Sequence, residues 1–241
     1  MGSTVAMGDI GRARLVGRLI GVGFLISIVV GVYALQIETS IDTSLDALSA
    51  MNGEYRDVIA GYKTNAVATA AMVVLNLVIG IGFYSSLRRV SAPWAASAFA
   101  LRLIDVVLTV ASVFLAIRLA TIFANAAPGV DPASLSAEAG GPEDLGWRAF
   151  HYGLAISSIG MAINFALMFA SRIIPRIISA YGTLASLAVT GSIVAMEVWS
   201  GAGAMVYPWY TYANGVAYIS LTLWLIGFGF DVRRLSPRAD W

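Results

Sequence analysis

The stretch FALRLIDVVLTVASVFLAIRL, residues 99–119, carries three charges (Arg102, Asp105 and Arg118) among Ala, Val, Leu, Ile and Phe. Twenty-one residues of helix rise about 30 Å, the thickness of a bilayer's hydrocarbon core. The apolar positions are continuous rather than alternating, so the stretch reads as a helix crossing a membrane, because a lipid-facing backbone must satisfy its own hydrogen bonds.

The rest of the chain agrees with this reading. Of 241 residues, 59% are hydrophobic and 12% charged, and the mean hydropathy is +0.79. Soluble domains carry about a quarter charged residues. Six apolar segments stand out, at about 15–36, 60–86, 94–124, 148–171, 174–199 and 208–231. They predict an all-α membrane bundle of six transmembrane helices forming a single domain over 1–241. The segment NAAPGVDPASLSAEAGGPEDLG, 125–146, joins the third and fourth spans, and Pro175 suits the first turn of the fifth. Residues 43–59, TSLDALSAMNGEYRDVI, have helical spacing and read either as a surface helix or as a polar connection.

Arginines set the direction. Arg12, Arg14 and Arg18 open span one, Arg88 and Arg89 follow span two, and Arg172 and Arg176 separate spans four and five. Arg233, Arg234 and Arg238 follow span six. The alternate loops are acidic, with Glu38, Asp42, Asp46, Glu54 and Asp57 in one and Asp131, Glu138, Glu143 and Asp144 in the next. The positive-inside rule therefore expects both termini in the cytoplasm, and Trp147, Trp199, Tyr207, Trp209, Tyr210 and Tyr212 to form an outer belt. A bacterial cytoplasmic membrane is the expected location. A basic start followed by an apolar run also resembles a signal peptide, but this run is long and no A-x-A site closes it.

Composition excludes several classes. With no cysteine there is no disulfide, thiolate metal site, iron–sulfur ligation or cysteine nucleophile. The single histidine, His151, can supply at most one axial ligand to a haem or chlorophyll, and no cofactor is implied. A net charge of +1 and a single lysine give no track for phosphates, so nucleic acid is not an expected partner. No Walker, H-E-x-x-H or G-x-S-x-G motif appears, which leans against an enzyme, and GFGF at 227–230 lacks the context of a phosphate loop. GRLIG at 17–21 is a small-xxx-small step that permits close helix approach.

Two polar groups are expected in the spans. Counted from the arginine-bearing edge, Arg102 lies about 10 Å deep and Asp105 about 15 Å, near the midplane. Three residues apart, they share a helix face and can pair. Asn76 and Asn164 reach comparable depths, which gives a candidate site of Arg102, Asp105, Asn76 and Asn164. Its functional reading is a proton, ion or polar-substrate site, and its structural reading is polar glue between helices. Arg118, Lys63, His151, Glu197 and Asn214 fall in the outer third. Arg118, Lys63, His151 and Glu197 form the second candidate site, read as an outer-face pocket or as loosely paired interfacial anchors.

Three signatures resemble the bacterial domain-of-unknown-function family 4386. They are ALRLIDVVL with Arg102 and Asp105, His151 followed by SRIIPR (Ser171, Arg172, Pro175, Arg176), and LTLWLIGFGF near the end of the last span. The resemblance implies six spans and flags Arg102, Asp105 and His151, but no reaction. The chain departs from the family pattern early in span six, where NGVAYIS, 214–220, stands in place of an expected acidic residue. Three functional readings remain open. The first is a non-enzymatic accessory or assembly subunit among other membrane subunits. The second is a small transporter using Arg102 and Asp105. The third is a lipid-, quinone- or pigment-binding protein or membrane enzyme working near His151. Membrane lipid is a partner in all three.

Overall fold

The computed structural model describes residues 7–41, 43, 45–51, 54–127, 129–199 and 202–231. Asp42, Arg233, Arg234 and Arg238 lie outside them, and Tyr207, Tyr210 and Asp46 are described by their helical backbone alone. The described elements are helices: α1 (Met7–Ser40), α2 (Leu45–Ala50), α3 (Arg56–Leu87), α4 (Ala92–Asn125), α5 (Pro132–Ser171), α6 (Arg176–Val198) and α7 (Ala202–Phe228). α1, α3, α4, α5 and α6 contain stretches long and apolar enough to cross a membrane. Within α7 the described apolar stretch is the shorter Tyr212–Phe228. The chain is an integral membrane protein built of helices.

Two segments differ from the sequence reading. Residues 132–147, expected as connection, extend α5 upstream of the fourth span. Asp131 starts it: the Ala133 N–H donates to Asp131 Oδ1 at 3.3 Å, and Pro132 takes the position where a missing N–H costs least. Ala, Ser and Glu then propagate the helix, and Pro142 sits inside it. Pro175 is the cap of α6 rather than part of its first turn, with an extended ψ of 133°. The 43–59 stretch holds one short helix, α2, and from Arg56 the first turn of α3.

The helices assemble into two compact units. The first comprises residues 1–26, 75–105 and 154–241. Its core gathers Phe24, Phe83, Met161, Phe165, Met168 and Leu225. Between helices in lipid there is no hydrophobic driving force, so close packing and hydrogen bonds hold them. Small residues provide the closeness. A Cβ on Gly17 would lie 2.6 Å from the Phe230 nitrogen, and one on Gly21 2.9 Å from the Ile226 nitrogen. The GRLIG step is therefore used within the chain, as the seat for the end of α7. Gly229 closes that helix in the left-handed region at φ 68°, its N–H bonded to the Leu225 carbonyl at 2.9 Å. A Cβ on Gly182 of α6 would overlap the Phe165 ring of α5. α6 also packs along α7, where the Tyr181 hydroxyl donates to the Ala213 carbonyl at 3.1 Å.

The second unit comprises residues 27–74 and 106–153. Leu48, Tyr55, Tyr62, Phe123 and Leu135 form its core, with Tyr62 stacked on Phe123 at 6.0 Å between centroids. Trp147, Trp199, Trp209 and Tyr212 are exposed, as side chains of an interfacial belt would be.

Candidate polar site in the first unit

Arg102 and Asp105 are held in an uninterrupted stretch of α4 free of Gly and Pro, which keeps residues i and i+3 on one face. Arg102 Nη1 donates to Asp105 Oδ2 at 3.0 Å, with the side chains 11% and 8% exposed. Space for the long arginine comes from α3: at Gly80 a Cβ would stand 3.1 Å from the Arg102 Cγ. Tyr84 of α3 stacks on Phe99 of α4 at 5.6 Å, so the two helices pass antiparallel and Asn76 comes level with Asp105. Asn76 is half-buried there.

The third helix at this site is α7. The Tyr218 hydroxyl lies near the Arg102 guanidinium and the Asn214 amide, with the Asp105 carboxylate close enough to act on it electrostatically. The Asn214 Oδ1 is shut off from water and accepts no hydrogen bond. Asn214, counted by sequence among the outer residues, therefore belongs with the Arg102 cluster. Asn164 does not join it. At Gly160 α5 meets Ala98 and Leu101 of α4, and the antiparallel course carries Asn164 towards the start of α4. There it is buried, and its amide donates to Met161 Sδ at 3.8 Å.

The outer-face residues fall in both units. Arg118 and Lys63 are exposed in the second unit, whereas Glu197 is exposed near the end of α6 in the first. His151 is 3% exposed, its ring stacked on Trp147 at 3.9 Å and edge-on to Phe150. Its Nδ1 donates to the Trp147 carbonyl at 2.9 Å, which leaves a buried Nε2 as the only ring atom for a metal. Among the described residues no group of three His, Asp or Glu could hold a metal ion. The second unit has a polar contact of its own, Thr43 Oγ1 donating to Glu143 at 3.3 Å.

Sequence reasoning found the Arg102–Asp105 pair, grouped Asn214 elsewhere, and missed Tyr218 and Gly80. The departure at 214–220 was the available signal, since both α7 residues lie within it.

No curated protein matches the chain. No solved structure matches it either. A family model, described as Domain of unknown function (DUF4386), matches residues 19–229 of the 241. The chain belongs to this DUF4386 family of unknown function.

Proposed function

We propose that the protein is a small proton-linked transporter of a bacterial cytoplasmic membrane, taking a small anion at Arg102. In this reading it is one membrane domain of six spans with both ends inside. The observation that carries it is the buried Arg102–Asp105 pair with Tyr218 and an unsatisfied Asn214 acceptor beside it. An intramembrane ion pair gains little over well-packed apolar side chains, so stability alone gives weak reason to keep one. Ionisable groups inside membranes mark substrate and proton paths by default.

The chemistry follows from the pair. While Asp105 is ionised, it neutralises Arg102 and no anion is needed there. When Asp105 takes up a proton, the guanidinium loses its counter-ion, and a carboxylate or phosphate can replace it in a bidentate fork. Tyr218 can donate to the same anion, and Asn214 Oδ1 can accept from a hydroxyl or amine on it. Proton and anion then bind together and leave together.

The test is infrared difference spectroscopy of the reconstituted protein buffered at two pH values. A carboxylic acid band that disappears in Asp105→Asn supports the reading. Identical spectra from both proteins would mean that Asp105 does not titrate.

A second reading, an accessory subunit of a larger membrane complex, is favoured by one observation. The pair lies within a single helix at i,i+3 spacing and satisfies itself, as a purely structural tie would. Native purification that always returns this chain alone would count against that alternative.

A further inference from the structure

At the arginine-bearing end of the first unit lies a second basic feature, a pocket of about 530 Å³ between α1, the α5–α6 turn and the end of α7. Arg14 and Arg18, one turn apart on α1, line it together with Arg172, Trp224, Phe228 and Asp231. Among the described lining residues three arginines stand with one aspartate, a surplus of two positive charges (3 − 1). Arg18 is anchored: its Nη2 donates to the Gly227 carbonyl at 3.3 Å. The Trp224 Nε1 is buried and has no hydrogen-bond partner, a donor awaiting an acceptor.

Arg172 adds an independent sign. It follows α5 in the left-handed region at φ 58°, the conformation in which helices normally end on glycine. The chain places an arginine, not one of its 24 glycines, at this strained position, and strained residues cluster at functional sites. Phe228 gives the basic pocket an apolar border, and Leu15, Leu19 and Leu223, next in sequence to the lining residues Arg14, Arg18 and Trp224, are exposed.

We infer that this pocket holds the phosphate of an anionic phospholipid. The guanidiniums pair with the phosphate, the Trp224 N–H donates to a phosphate or ester oxygen, and the acyl chains run along the exposed faces of α1 and α7. Basic pockets between spans at the cytoplasmic leaflet bind such headgroups. Free phosphate has the same charge but gains nothing from the apolar border, which favours the lipid.

The test uses full-length protein in native mass spectrometry, titrated with phosphatidylglycerol, cardiolipin, phosphatidylcholine or inorganic phosphate. Wild type is expected to retain the two anionic lipids over phosphatidylcholine. Arg172→Gly should bind them about fivefold more weakly, the loss of one arginine contact near a membrane surface. Because glycine relieves the strained φ, the same variant should melt at a higher temperature, which separates lost binding from lost folding. Arg14→Gln should weaken binding similarly. Equal retention of phosphatidylcholine, unchanged binding by Arg172→Gly, or displacement of the lipid by equimolar inorganic phosphate would overturn the inference.

Discussion

Two arginine–aspartate pairs of equal length sit in opposite surroundings. Arg102–Asp105 and Arg148–Asp144 are each 3.0 Å apart on a single helix, at i,i+3 and i,i+4. The first is 11% and 8% exposed, the second 50% and 59%. Distance alone would call them equivalent, but solvent makes them different objects. Water screens the exposed pair and replaces it cheaply when it breaks. The buried pair has no such substitute, so losing one partner leaves the other charge uncompensated.

Breaking the buried pair gives the largest expected effect. Asp105→Leu leaves Arg102 uncompensated and should cost about 3–5 kcal/mol in reversible unfolding in mixed micelles. The double change Arg102→Met with Asp105→Leu should recover most of that loss, because it removes the charge together with its partner. Recovery of stability without recovery of transport would separate structure from function.

Gly182→Ala comes next. The Phe165 ring fills the space a methyl group would need, so about 1–3 kcal/mol should be lost to overpacking, read as a lowered melting temperature. Tyr218→Phe should cost about 1 kcal/mol by deleting one buried hydrogen-bonding hydroxyl. In a double-mutant cycle with Asp105→Asn its effect should be non-additive, since both groups act on Arg102. The smallest change is Asp144→Asn, at most about 0.5 kcal/mol and fading with added salt. A loss as large as that of Asp105→Leu would end the comparison.

The same contrast explains what could be read from sequence. The buried pair is legible because i,i+3 spacing on a continuous apolar helix leaves the two side chains little choice. The membrane class is legible because apolar runs of this length have no soluble use. Tyr218 was hidden, since a tyrosine in an apolar span reads equally well as packing, and only the approach of α7 to α4 brings its hydroxyl to Arg102. The GRLIG step announced a close approach, but the partner, Leu225–Phe230 of the same chain, depends on tertiary packing. At 132–147 the Gly and Pro content suggested a connection, whereas the Asp131 cap and the Ala and Glu content favoured helix and prevailed. Depth counting did not join Asn214 to Arg102, because position along one span does not say which neighbour faces it.

The central claim is that the Arg102–Asp105–Tyr218 centre, buried in this structure, opens to water in a working cycle rather than staying a sealed tie. The absence of cysteine makes this directly measurable, because a single introduced thiol is the only one present. Asn214→Cys in sealed vesicles, with Glu38→Cys as an exposed control, would be treated with a membrane-impermeant thiol reagent from each side in turn. The account predicts that the thiol at position 214 is modified from at least one side and protected by anions that occupy Arg102. A thiol at position 214 that stays unmodified from both sides, while the control reacts fully, would contradict it.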